Sequence, residues 1–321
     1  MQTFRLALHA AYACGHSGVC CTSGWAIPVE RHRQPRLAAR AEALTTTRIT
    51  WLTPAPGGAP DEVAGVLAQR TDGACVFHAQ GRGCLVHDAR PVSCEHFPFV
   101  VVVDPRGVHV SLSHYCPTAA ALLFSRDASL EIVAGDPVLP DGRLPEGLDA
   151  REALPPVAGG AGTPRLMEWN EVSAWEQQAV RRWAASACET PPTPDAAALA
   201  AVYATVPAGL PAWYVPADLT GAWVRWGLSG WHTWHTVIGR YLAARVVASW
   251  ALHLGEGVAL VDASVAQARN VLQGEVARIC GSEQAPLTQA RLTRAIRQAD
   301  LLLLHHADLR ALADLAANTL S

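Results

Sequence analysis

The sequence predicts a mainly α protein: a small, irregular α+β cysteine-rich N-terminal domain with one β-hairpin, then a helical C-terminal domain. Three observations lead there. Seven of the nine cysteines fall between Cys14 and Cys116, in a stretch rich in Gly and Pro. One segment of that stretch reads as a pair of strands joined by a turn. From Glu168 onward, apolar residues recur at helical spacing.

The hairpin comes first in the chain. Phe97-Pro98-Phe99-Val100-Val101-Val102-Val103 is apolar and β-branched, Asp104-Pro105-Arg106-Gly107 carries turn chemistry, and Val108 to Ser113 alternates. Such a hairpin is expected to bring Cys94 and Cys116 side by side, because hairpin ends are neighbours. Residues 135–167 follow as a Pro/Gly-rich linker, separating a domain at 1–134 from one at 168–321. The Gly159–Gly162 cluster within it has no preceding strand and no following Gly-Lys-Ser/Thr, so it reads as linker, not phosphate loop.

Helical patterns then cover Glu171–Cys188, a Trp-rich stretch from Leu219 to Leu254, Val258–Ile279 and Leu287–Leu315. The last places Ala295, Ile296, Ala299, Leu302 and Leu303 on one side. The pairs Trp223/Trp226 and Trp231/Trp234 are spaced for packing, a plainer reading than a ligand cage or membrane-interface belt.

Composition narrows the function classes. Half of the 321 residues are apolar, enough to build a sizeable core. A net charge of −3 gives no basic field for a nucleic-acid partner. All 25 basic residues are Arg, so no lysine amine serves catalysis. No apolar run is long enough for a transmembrane helix. Ala11-Tyr12-Ala13-Cys14 faintly resembles a lipoprotein cleavage site, but the apolar stretch before it is short and interrupted by His9.

A chain this long needs no disulfide staples, and an odd, clustered set of cysteines suits ligation better than pairing. The expected compartment is a reducing cytoplasm. Cys14, Cys20, Cys21, Cys75, Cys84, Cys94 and Cys116 are the candidate metal ligands. Thiolates suit iron–sulfur clusters and zinc, and turns rich in Gly and Pro can direct several inward. Seven exceed the four that one cluster or structural zinc needs, leaving room for a second metal or a mixed site with histidine. Side chains of the vicinal pair Cys20-Cys21 diverge in extended backbone, so the two sulfurs would serve different metals or one would not ligate. The bland reading is that these are small buried hydrophobes.

His78 and His87 each follow a cysteine at Cys-x-x-His spacing and are weaker candidates. His232 and His235 share a helix face without a third ligand. Cys188 and Cys280 stand alone near helix ends and read as core. Thiolate ligation is expected to order the N-terminal domain, since a structural metal supplies on the order of 10 kcal/mol of folding free energy.

At these groups the sequence resembles the YkgJ-type cysteine-cluster family, described as zinc- or iron-chelating proteins and including the flagellin lysine-N-methylases. The residues carrying the match are Cys20-Cys21-Thr-Ser-Gly-Trp25, Cys75, Gly83-Cys84-Leu-Val-His87, Arg90-Pro91-Val-Ser-Cys94-Glu-His-Phe-Pro98 and Leu112-Ser113-His114-Tyr115-Cys116-Pro117. Tyr241 to Arg245 and Ala295 to His305 look like the helical half of long members. Family members commonly place two cysteines ahead of the vicinal pair. Here only Cys14 precedes Cys20, and His16 is a candidate substitute.

The expectation is therefore a metal-binding cysteine-cluster protein of bacterial type, with a 4Fe–4S cluster favoured over zinc. A protein partner or small ligand would meet the helical domain, and electron transfer or redox sensing through an exposed cluster is a further reading. The alternative implied by the resemblance is a protein lysine N-methyltransferase using S-adenosylmethionine, although no methyltransferase glycine loop is apparent.

Overall fold

A computed structural model describes residues 1–44, 49–55, 57–126, 129–139, 141–158, 164–208, 210 and 213–320. The Gly159–Gly162 cluster lies outside these residues. Helices dominate, and several small sheets accompany them. In chain order the strands are β1 (Thr3–Leu6), β2 (Pro28–Glu30), β3 (Leu52–Thr53), β4 (Val63–Leu67), β5 (His78–Ala79), β6 (Gly83–Cys84), β7 (Phe99–Asp104), β8 (Gly107–Leu112), β9 (Ile132–Gly135) and β10 (Leu148–Asp149).

The chain forms two compact units, and their boundaries differ from those the sequence suggests. The larger comprises residues 1–12, 98–138 and 147–321; the smaller comprises 13–97 and 139–146. The hairpin β7–β8 forms where expected, with Phe99 opposite Leu112 and Asp104 opposite Gly107. It belongs to the helical unit, however, not to the cysteine-rich one. The cause is pairing: β1 runs parallel to β8 and antiparallel to β9, giving a five-stranded sheet in the order β10-β7-β8-β1-β9. Gly107 is needed at the turn, since its φ is +146° and an added Cβ would lie 2.6 Å from the Gln2 carbonyl oxygen.

The segment read as a linker is also partly structured. Leu148 and Asp149 pair with β7, and Val157 bridges Leu166.

Helices of the larger unit enclose its core. Trp169–Ser186 begins with a reciprocal capping box between Glu168 and Glu171. Gly257–Glu283 is one continuous helix. The expected Trp-rich helix is instead broken: Leu219–Ala222, a π-helical turn at Trp223–Gly227, Leu228–Thr233 and His235–Ala244. A second π turn, Leu302–His306, separates Gln289–Leu301 from Leu309–Ala317. Trp223 and Trp231 are fully buried and meet edge to face at 5.2 Å, as packing residues do. Ala295, Ile296, Ala299, Leu302 and Leu303 are all buried, as their spacing suggests. Cys280 is buried in this core, whereas Cys188, expected to join it, is exposed just beyond its helix.

The smaller unit is less regular. It holds a three-stranded sheet in the order β2-β4-β3, the short hairpin β5–β6 and the helix Gln34–Leu44. These strands add to the single hairpin expected. Val29, Leu37, Ala41, Leu67, Phe77, Val86 and Ala89 make its buried core among the described residues. So small an apolar core is what a metal or disulfide staple usually supplements. No helix of the described residues is long and apolar enough to cross a membrane.

Candidate metal centre

Four separate segments of the smaller unit deliver five thiols to one cavity. Cys20 and Cys21 sit on a tight 3₁₀ turn, Val19–Cys21, entered through Gly18 in the left-handed region at φ +72°. The turn is closed by Cys21 N–H donating to the Gly18 carbonyl at 2.9 Å, and the Ser23 hydroxyl donates to the Cys20 carbonyl at 2.9 Å. Because the backbone is coiled, not extended, the vicinal sulfurs converge: the Cys21 thiol hydrogen-bonds both Cys20 and Cys84.

Cys75 is held beside the pair by its own N–H, which donates to the Cys21 carbonyl at 2.7 Å. The preceding turn is set by Asp72, whose carboxylate accepts from Ala74 N–H. Cys84 lies on β6, opposite His78 on β5. Cys94 comes from the short helix Val92–His96, entered through Pro91, where Val92 N–H donates to Glu30 at 3.1 Å. Trp25, Ile27, Leu67, Val86 and Arg90 complete the lining. All five cysteines are free.

The electrostatics of the cavity divide its five thiols. Donation from the Cys21 thiol, opposed by burial and assisted by the Arg90 guanidinium, brings Cys20 down to about 7. Cys21 donation also lowers Cys84, again against burial and with help from the Val86 N–H and Arg90. Cys21 itself is raised by giving its proton to these two neighbours. Burial raises Cys94, and the nearby Cys20, Cys84 and Cys75 add to that. Burial is also the main reason Cys75 is raised. A thiolate in so low-dielectric a site is favoured by a nearby cation. Arg90 is one, and its buried Nε has no hydrogen-bond partner in the protein.

Two of the seven cysteines expected as ligands do not line this cavity. Cys116 belongs to the larger unit, where it is buried at the start of helix Pro117–Leu122, 3.8 Å from the Tyr12 hydroxyl. The chain leaves the smaller unit after Phe97, ahead of the hairpin. Cys14 is exposed and has different company. Its sulfur and one ring nitrogen from each of His16 and His87 lie within 4.8 Å of one another. The His16 and His87 rings are 4.0 Å apart. His87 is lowered to about 4 by burial, then by Arg90 and His16. Among the described residues, His232 and His235 gather no third ligand.

The larger unit holds two buried polar networks, and Glu176 and Arg245, polar helix residues for which a solvated face is the plainer expectation, belong to them. In one, Asp300 accepts from the Tyr241 hydroxyl at 3.0 Å and from the His114 N–H, with Arg245 at 3.5 Å, and His114 Nε2 lies 3.3 Å from His9 Nε2. In the other, Arg106 pairs with Asp104 at 2.7 Å and Glu176 at 3.1 Å, with His109 and His253 beside Asp104. The signal for the first was present: Tyr241, Arg245, Asp300 and His114 fall in the segments that resemble long YkgJ-type members. Periodicity alone hid their convergence, since a helix face records who is buried and not which polar group a buried residue meets.

Comparison of the chain with protein-family models, curated proteins and solved structures gave no match.

Proposed function

We propose that the smaller unit is an iron–sulfur domain, holding one 4Fe–4S cluster through four of Cys20, Cys21, Cys75, Cys84 and Cys94. The observation that carries the reading is the meeting of five free thiols in one cavity beside an arginine whose Nε lacks a partner. Four cysteine thiolates are the usual ligand set of such a cluster. The donors come singly or as a vicinal pair from four segments around one cavity. Structural zinc more commonly uses paired Cys-x2–4-Cys knuckles closing tightly on one ion. That contrast favours a cluster over zinc.

The residues present have clear tasks. The thiolates hold the metal, Arg90 offsets their negative charge, and Trp25, Ile27, Leu67 and Val86 limit access of water. Ligation would also supply folding free energy that the small apolar core lacks. The protein would act in a reducing compartment as a metal-binding cysteine-cluster protein, in line with the YkgJ-type resemblance. The lysine N-methyltransferase reading rests on that resemblance alone, and no residue is assigned to S-adenosylmethionine.

The test is anaerobic purification followed by iron, acid-labile sulfide and zinc analysis, visible absorbance, and paramagnetic resonance after reduction. Iron and sulfide in equal amounts, with broad visible absorbance, support the cluster. A colourless protein with zinc in the pocket overturns it in favour of structural zinc.

A further inference from the structure

We infer that Cys14, His16 and His87 form a second, mononuclear metal site of zinc type, independent of the five-cysteine pocket. The three donors come from two loops. Cys14 and His16 stand on the segment entering the smaller unit, and His87 opens the 3₁₀ turn His87–Ala89. Three residues earlier, Cys84 faces the five-thiol pocket. The turn between them sends His87 toward a separate group of donors.

Three features argue that this juxtaposition is built. First, the donor atoms lie within 4.8 Å of one another. A tetrahedral zinc with bonds of about 2.0–2.3 Å holds its ligands about 3.3–3.8 Å apart, so side-chain rotation of about 1 Å closes the set. Second, His87 Nε2 is buried and has no hydrogen-bond partner. Leaving a ring nitrogen dry and unpaired is unfavourable unless something else takes its lone pair. Third, the backbone is held in an uncommon conformation to present His16, whose φ is +53°. A non-glycine residue enters that region only at a steric cost. The loop is fitted closely against the β5–β6 hairpin: a Cβ on Gly83 would lie 2.3 Å from the His16 carbonyl oxygen, and one on Gly18 would lie 2.5 Å from His78 Nε2.

The donor chemistry selects the metal. One thiolate and two imidazoles form a borderline-soft set that suits zinc. The same set plus an axial methionine would suit blue copper. The chain has only Met1 and Met167, both in the larger unit, so no thioether of the smaller unit serves that role. Three protein ligands leave a fourth position open, the arrangement of zinc sites that bind water or a small molecule.

The experiment compares zinc and iron content of the full-length chain with Cys14→Ser, His16→Asn and His87→Ala, all purified anaerobically, and follows Co²⁺ binding by visible spectroscopy. Each variant should lose one equivalent of zinc, with the five-cysteine pocket keeping its own metal. Co²⁺ should give the intense bands of a tetrahedral ion, and Cys14→Ser should remove the sulfur-to-cobalt charge-transfer band. Equal zinc in all four proteins overturns the site. Where a variant loses every metal through misfolding, His87→Cys decides: regained zinc supports the site, and continued loss overturns it. If the five-cysteine pocket proves empty, the wild type should still hold the one equivalent that the variants lack, so the two readings fail separately.

Discussion

Arg33 grips Glu95 with both terminal guanidinium nitrogens, at 3.0 Å from Nη1 to Oε1 and 2.8 Å from Nη2 to Oε2. Glu95 follows Cys94 directly, so this largely buried pair fixes the short helix that carries one wall of the thiol cavity. Arg143 adds a third contact, at 2.9 Å.

Glu95→Gln should therefore loosen that helix. A charge-assisted pair in a partly buried site is worth about 1–3 kcal/mol, and the smaller unit should become correspondingly more sensitive to protease while cluster absorbance decays faster in air. The pH dependence has a definite sign. Burial opposes the charge on Glu95, but Arg143 and Arg33 prevail and hold its carboxyl below the ordinary value of 4.5. The stabilisation is present above that value and is lost as pH falls through the lower folded one. Chemical denaturation between pH 3 and pH 6 should show a steeper acid loss in wild type than in Glu95→Gln.

Cysteine replacements should sort by place in the fold. Cys84→Ala and Cys94→Ala should abolish the metal of the pocket and expose the smaller unit to proteolysis. Cys116→Ser and Cys188→Ser should keep that metal. Cys280→Ala should keep it too, at a cost of about 1–2 kcal/mol in the larger unit for the cavity left behind. Elemental analysis beside thermal melts checks all five, and metal retained in Cys84→Ala and Cys94→Ala would remove those positions from the ligand set.

Asp300 is fully buried, and its carboxylate gathers Tyr241, His114 and Arg245. Asp300→Ala strands these partners and should destabilise the larger unit by about 3–5 kcal/mol. Burial raises the Asp300 pKa, but His114 and Arg245 together outweigh it and leave the group below its ordinary 3.8. Its contribution is thus complete at neutral pH and fades only as acid carries the solution through the folded value. A melting temperature of Asp300→Ala equal to that of wild type at pH 7 would show that the network stabilises nothing.

Gly83 adopts φ +70° and lies against the His16 backbone. Gly83→Ala should push away the loop bearing Cys14 and His16, so zinc at that site should fall while unit-wide folding, read by circular dichroism, changes little. Unaltered zinc content would mean the loop finds its position another way.

Much of the larger unit was legible because helical periodicity and the β-branched hairpin are local signals. Val100 to Val103 and the Asp104–Gly107 turn announce themselves within a dozen residues. The partner of that hairpin did not: Thr3–Leu6 is four residues long, and its pairing with β8 joins positions a hundred apart. That long-range pairing places Cys116 in the larger unit. Cysteine density did pick out the five pocket thiols, but density says nothing of direction, so Cys14 and Cys116 were grouped with them. The vicinal pair sits on coiled, not extended, backbone, and Gly18 in its left-handed conformation is what coils it. Residues such as Val63–Leu67 and Leu52–Thr53 form strands too short, in surroundings too rich in Gly and Pro, for a period-2 pattern to emerge.

The cysteine-bearing unit departs from the other after residue 12 and hands the chain back at residue 98, between strands that belong to one sheet. Melting it would thus create two tethered loops, residues 13–97 and 139–146, not a free tail. Loop closure grows only slowly with length, about 0.6 kcal/mol for each doubling, so the sheet loses little by keeping its ends together. A molecule whose smaller unit has melted can accordingly retain a folded helical portion, ready to template its recovery.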